Sequence, residues 1–184
     1  MKGFSREDQR VALCGLSCGL CPMRLGGHCP GCGGGAGNQS CKLARCALER
    51  GGVEYCFQCA DYPCQRYQDF DRYDSFLTHQ RRAADLEAAR EDLEACHSRL
   101  REKEAILAFL LERCNDGRRK SFYCLAVNRL ELEDLRPILA QLSQDAPTDP
   151  KTRAGTAVQA LQEAAERRGI ELKLRKKPAK KGKA

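Results

Sequence analysis

Residues 14–64 read CGLSCGLCPMRLGGHCPGCGGGAGNQSCKLARCALERGGVEYCFQCADYPC. This stretch holds ten of the chain's 13 cysteines, and three pairs of them have the spacing Cys-x-x-Cys. That spacing lets one tight turn direct two sulfur atoms at a single ion, and several such turns supply the soft ligands that Zn²⁺ or an iron–sulfur cluster requires. The candidate metal ligands are therefore Cys14, Cys18, Cys21, Cys29, Cys32, Cys41, Cys46, Cys56, Cys59 and Cys64.

A secreted disulfide domain is the alternative explanation for so many cysteines. Charged and polar side chains interrupt residues 1–13, so these residues contain no apolar run typical of a signal peptide. No stretch is apolar over about 18 residues, so the sequence predicts no membrane span. We expect a cytoplasmic protein with reduced thiols, and an odd number of cysteines also fits poorly with a closed set of disulfides.

The apolar side chains of residues 14–64 are few for a segment of this length. Such a small unit is marginally stable by burial alone, whereas metal ligation contributes roughly 10–16 kcal/mol in small zinc domains. We therefore expect the segment to fold only with its metal. Ten thiolates suit about two zinc ions with two sulfurs left over, or fewer closed sites and others completed by His28 or water. The sequence does not indicate which cysteines share an ion.

The remainder of the chain is predicted to be mostly α-helical. The longest predicted helix covers residues 80–114, where leucines recur every seven residues from Leu86 to Leu107. This pattern favours a helix hairpin within one chain, with a dimeric coiled coil as the alternative. Shorter helices are predicted at 41–50, with Ser40 as N-cap and Gly51-Gly52 as the end, and at 130–142 and 151–168.

Residues 65–79 are rich in aromatic side chains. Tyr67, Phe70, Tyr73 and Phe76 recur every three residues, which predicts a helical segment whose aromatic face packs on the cysteine-rich stretch. His79 and His97 are expected at the surface of helices, and residues 170–174 are expected to form a short strand or an extended segment.

The net charge of +7 comes from the C-terminus alone. Seven basic residues and no acidic ones follow Glu171, and the remaining chain carries 25 basic and 25 acidic residues. A basic groove for nucleic acid is therefore not expected in the body of the protein, and such contact is predicted only through the tail. A Lys-rich segment of this composition is expected to be disordered.

Three units follow from these patterns. Residues 1–66 are predicted to form a small, irregular, cysteine-rich metal-binding module, and residues 67–174 a mostly α-helical domain organised as a helical hairpin or bundle. Residues 175–184 are the predicted disordered basic tail. The chain is expected to be a monomer, or a dimer through the helix at 80–114.

Cys124 is a weak candidate for a catalytic thiol. With Ser121 as the N-cap of a helix that begins at Phe122, its sulfur would lie in the first turn beside Arg118, Arg119 and Lys120. Helix N-termini and nearby cations both favour thiolate. A packed, inert thiol is the alternative, and Cys96 is interpreted in that way because it falls on the apolar side of its predicted helix.

Several motifs resemble a bacterial and archaeal family known as domain of unknown function 3795. The resemblance covers most of the chain except the tail and implies a cysteine-rich, metal-binding protein without an established reaction. The motifs that carry it are Cys14-Gly-x-x-Cys18-x-x-Cys21-Pro, Cys29-Pro-Gly-Cys32, Arg45-Cys46-Ala, Gly52-Val53-x-x-Cys56-x-x-Cys59-x-x-Tyr62-Pro63-Cys64 and Asp116-Gly117-Arg118-x-x-Ser121-Phe122-Tyr123-Cys124.

The predicted function is structural zinc binding in a non-catalytic module that contacts an unidentified protein partner or regulates it, with no role at a membrane. The knuckle-like sequence Cys29-Pro-Gly-Cys32-Gly33 favours zinc, since a glycine at this position permits positive φ. The alternative is an iron–sulfur redox protein with one or more [4Fe–4S] clusters, because Cys14, Cys18 and Cys21 have a spacing typical of cluster ligands. A thiol enzyme or a metal-transfer protein is a third option.

Overall fold

Regular structure in the described residues, 3–35, 41–144 and 149–178 of a computed structural model, consists of seven α-helices and three 3₁₀ turns. Within those ranges the only β-structure is two isolated bridges, Ser5 with Gly34 and Val11 with Ser17. The α-helices are α1 (Pro22–Leu25), α2 (Lys42–Glu49), α3 (Arg82–Glu91), α4 (Leu93–Arg113), α5 (Lys120–Arg129), α6 (Leu132–Gln144) and α7 (Pro150–Arg167). The 3₁₀ turns are Cys18–Leu20, Cys56–Gln58 and Gln65–Tyr67.

The helix predicted at residues 41–50 is confirmed as α2. Cys41 is its N-cap residue, while the predicted N-cap Ser40 lies outside the described residues. Gly51 and Gly52 both have φ of +83°, a backbone conformation that glycine adopts without strain, and the helix ends directly before them.

The single helix predicted at residues 80–114 is wrong, because Asp92 divides it into α3 and α4. Asp92 has φ −149° and ψ 96°, and its side chain accepts a hydrogen bond from the Ala95 amide at 2.9 Å. It therefore ends α3 and caps the N-terminus of α4. The leucine pattern continues across the break, which is why it did not reveal the interruption.

The helix or helical turn predicted at residues 65–79 is present only as a single turn. One 3₁₀ turn at Gln65–Tyr67 is followed by irregular turns. Tyr67 and Phe70 do pack against the cysteine-rich stretch, whereas Phe76 is 49% exposed. The three-residue spacing of the aromatic side chains therefore corresponds to two packed rings and not to a continuous helical face.

The helices predicted at 130–142 and 151–168 are confirmed as α6 and α7. α6 accommodates Pro137 in its interior, and α7 is followed by Gly169 with φ +63°. Residues 170–174 are extended without forming a strand, and Ile170 and Leu172 pack on the main core.

The main core is formed by the helical part together with three residues of the cysteine-rich stretch. α4 packs against α3, α5, α6 and α7, and the turn Cys18–Leu20 packs against α4 and α5. Val11, Leu20 and Tyr55 belong to the same buried cluster as Leu107 and Val127. The leucine seam of the long predicted helix is thus covered within the chain, which favours the hairpin or bundle over a dimer through α4. The domain boundary at residue 66 stays a prediction.

The chain's C-terminal segment returns to the region that follows the cysteines. The Arg175 carbonyl accepts a hydrogen bond from the Asp74 amide at 2.8 Å, and the Arg175 guanidinium pairs with the Asp74 carboxylate at 2.8 Å. Residue 175, the predicted start of the disordered tail, is therefore fixed in place, and residues 179–184 lie outside the described residues. Each helix in the described ranges is too short or too polar to cross a bilayer.

Candidate metal centre

All 13 cysteines lie in the described residues, and none of them forms a disulfide bond. Ten of them line two separate cavities in the N-terminal third of the chain. We call these the six-thiol cavity and the four-thiol cavity. The separation assigns the ten predicted ligands to two groups that the sequence alone did not distinguish.

The six-thiol cavity has a volume of about 240 Å³ and largely apolar walls. Its thiols come from the turn at Cys14, from the start of the 3₁₀ turn, from the N-cap of α1, from the Cys29–Cys32 loop and from the N-cap of α2. Its sulfur-bearing residues are Cys14, Cys18, Cys21, Cys29, Cys32 and Cys41. His28 also lines this cavity from an exposed position, so its predicted alternatives, ligand or loop residue, both stay open.

Burial and mutual repulsion disfavour thiolates in this cavity unless a cation is present. Burial, joined by the neighbouring Cys32 thiol, raises the pKa of Cys14 well above its ordinary value. The same causes raise the pKa of Cys18 to about 12. Burial also raises the pKa of Cys32, although the Arg6 guanidinium opposes that shift. A metal ion is the type of partner that allows such thiols to ionise together.

Arg6 connects this cavity to the rest of the cysteine-rich stretch. Its Nε donates to the Glu54 carbonyl at 2.7 Å, and its Nη1 donates to the carbonyls of Val11 at 2.9 Å and Cys32 at 3.3 Å. The neighbouring Gly33 has φ +87°, as its position in the knuckle-like motif predicted, and a Cβ there would lie 2.6 Å from Arg6 Cβ. The glycine therefore allows the loop and the arginine to approach closely.

A second arginine approaches the six-thiol cavity from α3. Arg82 donates from Nη1 to the Cys14 carbonyl at 3.0 Å and from Nε to the Asp71 carboxylate at 2.6 Å. Its guanidinium lies 4.4 Å from the centre of the Tyr67 ring. The cysteine-rich stretch is thus attached directly to the first helix of the helical part.

The four-thiol cavity is smaller, with a volume of about 30 Å³, and is lined by Cys46, Cys56, Cys59 and Cys64. Cys46 is on α2, Cys56 begins a 3₁₀ turn, Cys59 ends that turn and Cys64 follows Pro63. Arg50 donates to the Cys59 sulfur at 3.6 Å and pairs with Asp61.

Cys56 of the four-thiol cavity interacts electrostatically with thiols of both cavities. Burial raises its pKa to about 11, the Tyr67 hydroxyl opposes the shift by hydrogen bonding, and the thiols of Cys64, Cys32 and Cys41 add to it. The two groups of thiols are therefore near neighbours that interact electrostatically.

Across residues 3–35, 41–144 and 149–178, no three His, Cys, Asp or Glu side chains converge closely enough to hold a metal ion. Thiols are nevertheless the type of metal ligand that lines both cavities. Because zinc and iron–sulfur clusters are both bound by cysteine thiolates, the side chains present fit either of them.

The thiolate environment predicted for Cys124 is not found. α5 begins at Lys120, with Arg119 and not Ser121 in the cap position, so Cys124 lies beyond the first turn. Its side chain is 2% exposed, and burial raises its pKa to about 12, with a further contribution from the Cys21 thiol. Cys96 is buried as predicted.

The surface positions predicted for the two helix histidines are also corrected. His79 is 8% exposed, and its ring nitrogens lie 3.1 Å from the Phe70 carbonyl and 3.1 Å from the Ser75 hydroxyl. His97 is half-buried, with Nε2 3.0 Å from the Asp8 carboxylate. The irregular segment that contains Phe70 and Ser75 covers the His79 ring, and Asp8 and Tyr55 of the N-terminal part contact the His97 ring.

Sequence reasoning missed the hydrogen-bonded side chains that surround the thiols. Arg6 and Cys32 are 26 positions apart and Arg82 and Cys14 are 68 apart, so no local spacing relates them. A similar long-range network joins Asp8 to α4: the Tyr55 hydroxyl donates to Asp8 at 2.6 Å, and Nε2 of His97 on α4 lies 3.0 Å from the same carboxylate. Burial raises the pKa of Asp8, but hydrogen bonds led by that from Tyr55 lower it overall.

Comparison of the chain with models of known families, with curated proteins and with solved structures gives no match. The resemblance to domain of unknown function 3795 therefore stays a prediction from the residue motifs.

Proposed function

We propose that this chain is a metal-binding protein in which cysteine thiolates hold about two structural zinc ions, as a non-catalytic interaction or regulatory module. One observation supports the proposal most strongly, namely the division of ten cysteines, none of them in a disulfide, between two cavities without overlap. Four thiols at the smaller cavity equal the complete ligand set of a closed structural zinc site.

The six-thiol cavity supplies more donors than one zinc ion requires. Four of its thiols suffice for a second closed site, which leaves two sulfurs and His28 without a required role. The buried guanidinium of Arg6 beside Cys32 supports this assignment, because four thiolates around one Zn²⁺ carry a net negative charge that a cation stabilises.

An iron–sulfur redox protein is the second candidate, and the six-thiol cavity is the observation that favours it. A [4Fe–4S] cluster is larger than a zinc ion, and apolar walls around about 240 Å³ would shelter it from water. Cys14, Cys18 and Cys21, which have cluster-like spacing, all line this cavity.

The proposal extends to location, partners and family. Thiol-based metal binding is typical of a reducing cytoplasm, where we expect the protein to act on an unidentified protein partner. Contact with nucleic acid is proposed only through the basic C-terminal tail. The motifs shared with domain of unknown function 3795 support membership of that family.

The test is metal analysis by mass spectrometry after anaerobic purification. We expect a colourless protein with about two zinc ions per chain, with one lost in Cys46→Ser and the other in Cys18→Ser. Cys96→Ala is the matched control, because Cys96 is a buried thiol outside both cavities and its removal leaves the zinc content unchanged.

Three results would count against the zinc proposal. A brown protein that contains iron and sulfide supports the cluster alternative. A protein without bound metal, or one whose zinc content is equal in all three variants, excludes both metal functions for these cysteines. Circular dichroism of each variant separates loss of metal from loss of the helical fold.

A further inference from the structure

A charged cavity lies outside the two cysteine cavities, where α3, α4 and the junction of α5 with α6 meet. Its volume is about 130 Å³ and it is open to solvent on one side. Its charged lining residues are Arg81, Asp85, Arg99, Lys103, Glu131 and Glu133. The proposed metal function uses none of them.

Lys103 is the unusual member of this group. It lies on the leucine seam of α4, is 9% exposed, and donates from Nζ to the Asn128 carbonyl at 3.3 Å. Within the described residues it forms no ion pair with a carboxylate. A buried ammonium group without an anionic partner is costly, so the neutral amine is favoured.

Arg81 forms ion pairs with two of the carboxylates that line the cavity, those of Asp85 and Glu131. Its Nη2 lies 3.3 Å from Asp85 Oδ1, and its Nη1 pairs with Glu131. Burial lowers the pKa of Lys103 to about 8, an effect to which Arg81 adds and which Asp85 and Glu131 oppose. Burial likewise raises the pKa of Asp85. Arg99 and Glu133 are the other charged groups that face the cavity.

We propose that Lys103 is a carbamylation site at which the buried amine binds carbon dioxide. The nitrogen lone pair forms a bond to the carbon of CO₂, one carbon–oxygen π pair moves onto oxygen, and the nitrogen releases a proton to solvent through the open side of the cavity. The product is a carbamate anion, and the step requires no oxidant, reductant or further reactant.

The cavity suits this ligand at both stages of the reaction. Carbon dioxide is small and uncharged, so it enters a space of about 130 Å³ without an electrostatic penalty. The carbamate replaces a group that is neutral or positive by an anion, and Arg99, which forms no ion pair among the described residues, faces the same space beside the Arg81 guanidinium that already pairs with Asp85 and Glu131. Guanidinium groups bind planar carboxylate-like anions through two parallel hydrogen bonds.

The experiment uses the full chain with its metal, equilibrated with ¹³C-labelled bicarbonate at a pH close to the Lys103 pKa of about 8. Carbamates are trapped by alkylation with a trialkyloxonium salt and located by peptide mass spectrometry. The neutral fraction of Lys103 exceeds that of an ordinary lysine by on the order of 100-fold at this pH. We therefore expect at least about tenfold more trapped product at Lys103 than at the exposed Lys151 of α7.

Carbon-13 NMR of two variants provides an independent check. The α-amino group of the chain also forms a carbamate and serves as an internal reference. A second carbamate resonance, from Lys103, is expected beside that of the α-amino group. It disappears in Lys103→Arg and in Lys103→Met, and it persists in Lys151→Arg. Equal trapping at Lys103 and Lys151, or a second resonance that survives in a folded Lys103 variant, overturns the proposal. Neither result depends on whether the cysteines bind zinc.

Discussion

Arg6 is a charged side chain with almost no access to solvent, since it is 1% exposed. Its guanidinium donates hydrogen bonds to three backbone carbonyls and forms an ion pair with the Glu54 carboxylate at 3.3 Å. The Glu54 carboxylate in turn accepts hydrogen bonds from the amides of Glu7 and Asp8. One guanidinium therefore organises the N-terminal segment and the Cys32 loop, and the thiols of the six-thiol cavity depend on both.

Replacement of Arg6 tests this dependence. Arg6→Gln leaves buried carbonyls without donors and Glu54 without its cation, so we expect the free energy of unfolding to fall by about 2–4 kcal/mol. We also expect faster loss of zinc to a chelator from the six-thiol cavity, because the Cys32 loop is no longer fixed. Urea unfolding and a chelator competition assay measure the two effects.

The matched control is Arg113→Gln, which removes an exposed arginine of α4. Surface substitutions of this kind change the free energy of unfolding by about 0.5 kcal/mol or less. If Arg6→Gln behaves as this control does in both assays, the positioning role assigned to Arg6 is wrong.

At the scale of elements, the break between α3 and α4 depends on one side chain. The Asp92 carboxylate accepts from the Ala95 amide at 2.9 Å, and this satisfies one of the unpaired amides in the first turn of α4. The break also changes the direction of the chain, so that α3 contacts the 3₁₀ turn Cys56–Gln58 while α4 forms the centre of the helical core.

Asp92→Ala should therefore destabilise the protein by about 1 kcal/mol, the usual value of a lost N-cap. Asp92→Asn retains a side-chain oxygen that accepts the same hydrogen bond, so we expect it to remain close to wild type. Urea unfolding of the two variants gives the comparison. Equal stability of the alanine and asparagine variants would show that packing, and not the cap, places the break.

Several elements could be predicted from the sequence because short-range patterns define them. Glycines mark the ends of α2 and α7, and apolar periodicity marks α6 and α7. The break at Asp92 could not be predicted in this way, since the leucine spacing of a continuous helix and of two consecutive helices is the same. The aromatic residues of 65–79 also mimicked a helical face, although Tyr67 and Phe70 pack on the cysteine-rich stretch and Tyr73 instead contacts Arg72.

The candidate site shows the same division between local and long-range information. Cys-x-x-Cys pairs are local, so the ten thiols could be identified as a set from their spacing. Their division into two cavities depends on how α2 and the loops fold together. Arg6, Arg82 and His97 reach the cysteine-rich stretch from distant positions, and a single sequence contains no periodic signal for such contacts.

At the scale of the whole molecule, the cysteine-rich stretch and the helices share one core. Val11, Leu20 and Tyr55 are each 2% exposed or less and belong to the same buried cluster as residues of α4 and α5. The hydrogen bonds from Arg82 to Cys14 and from His97 to Asp8 cross the same boundary. Unfolding of the cysteine-rich stretch therefore uncovers apolar side chains of the helical part.

Removal of the proposed zinc should consequently affect α5 as well as the cysteines. Burial of a side chain such as Leu20 contributes about 1.5–3 kcal/mol to the stability of the fold. Loss of this contribution should raise the hydrogen-exchange rates of α5 amides by roughly tenfold or more. Exchange followed by mass spectrometry, before and after chelation under reducing conditions, gives this measurement. Amides of α7, whose main contacts in the described residues are with α4, α5 and α6 and not with the Cys18–Leu20 turn, should change less and serve as the internal reference. Unchanged exchange in α5, together with loss of protection at residues 41–64, would mean that the two parts fold independently and that their shared core contributes little to stability.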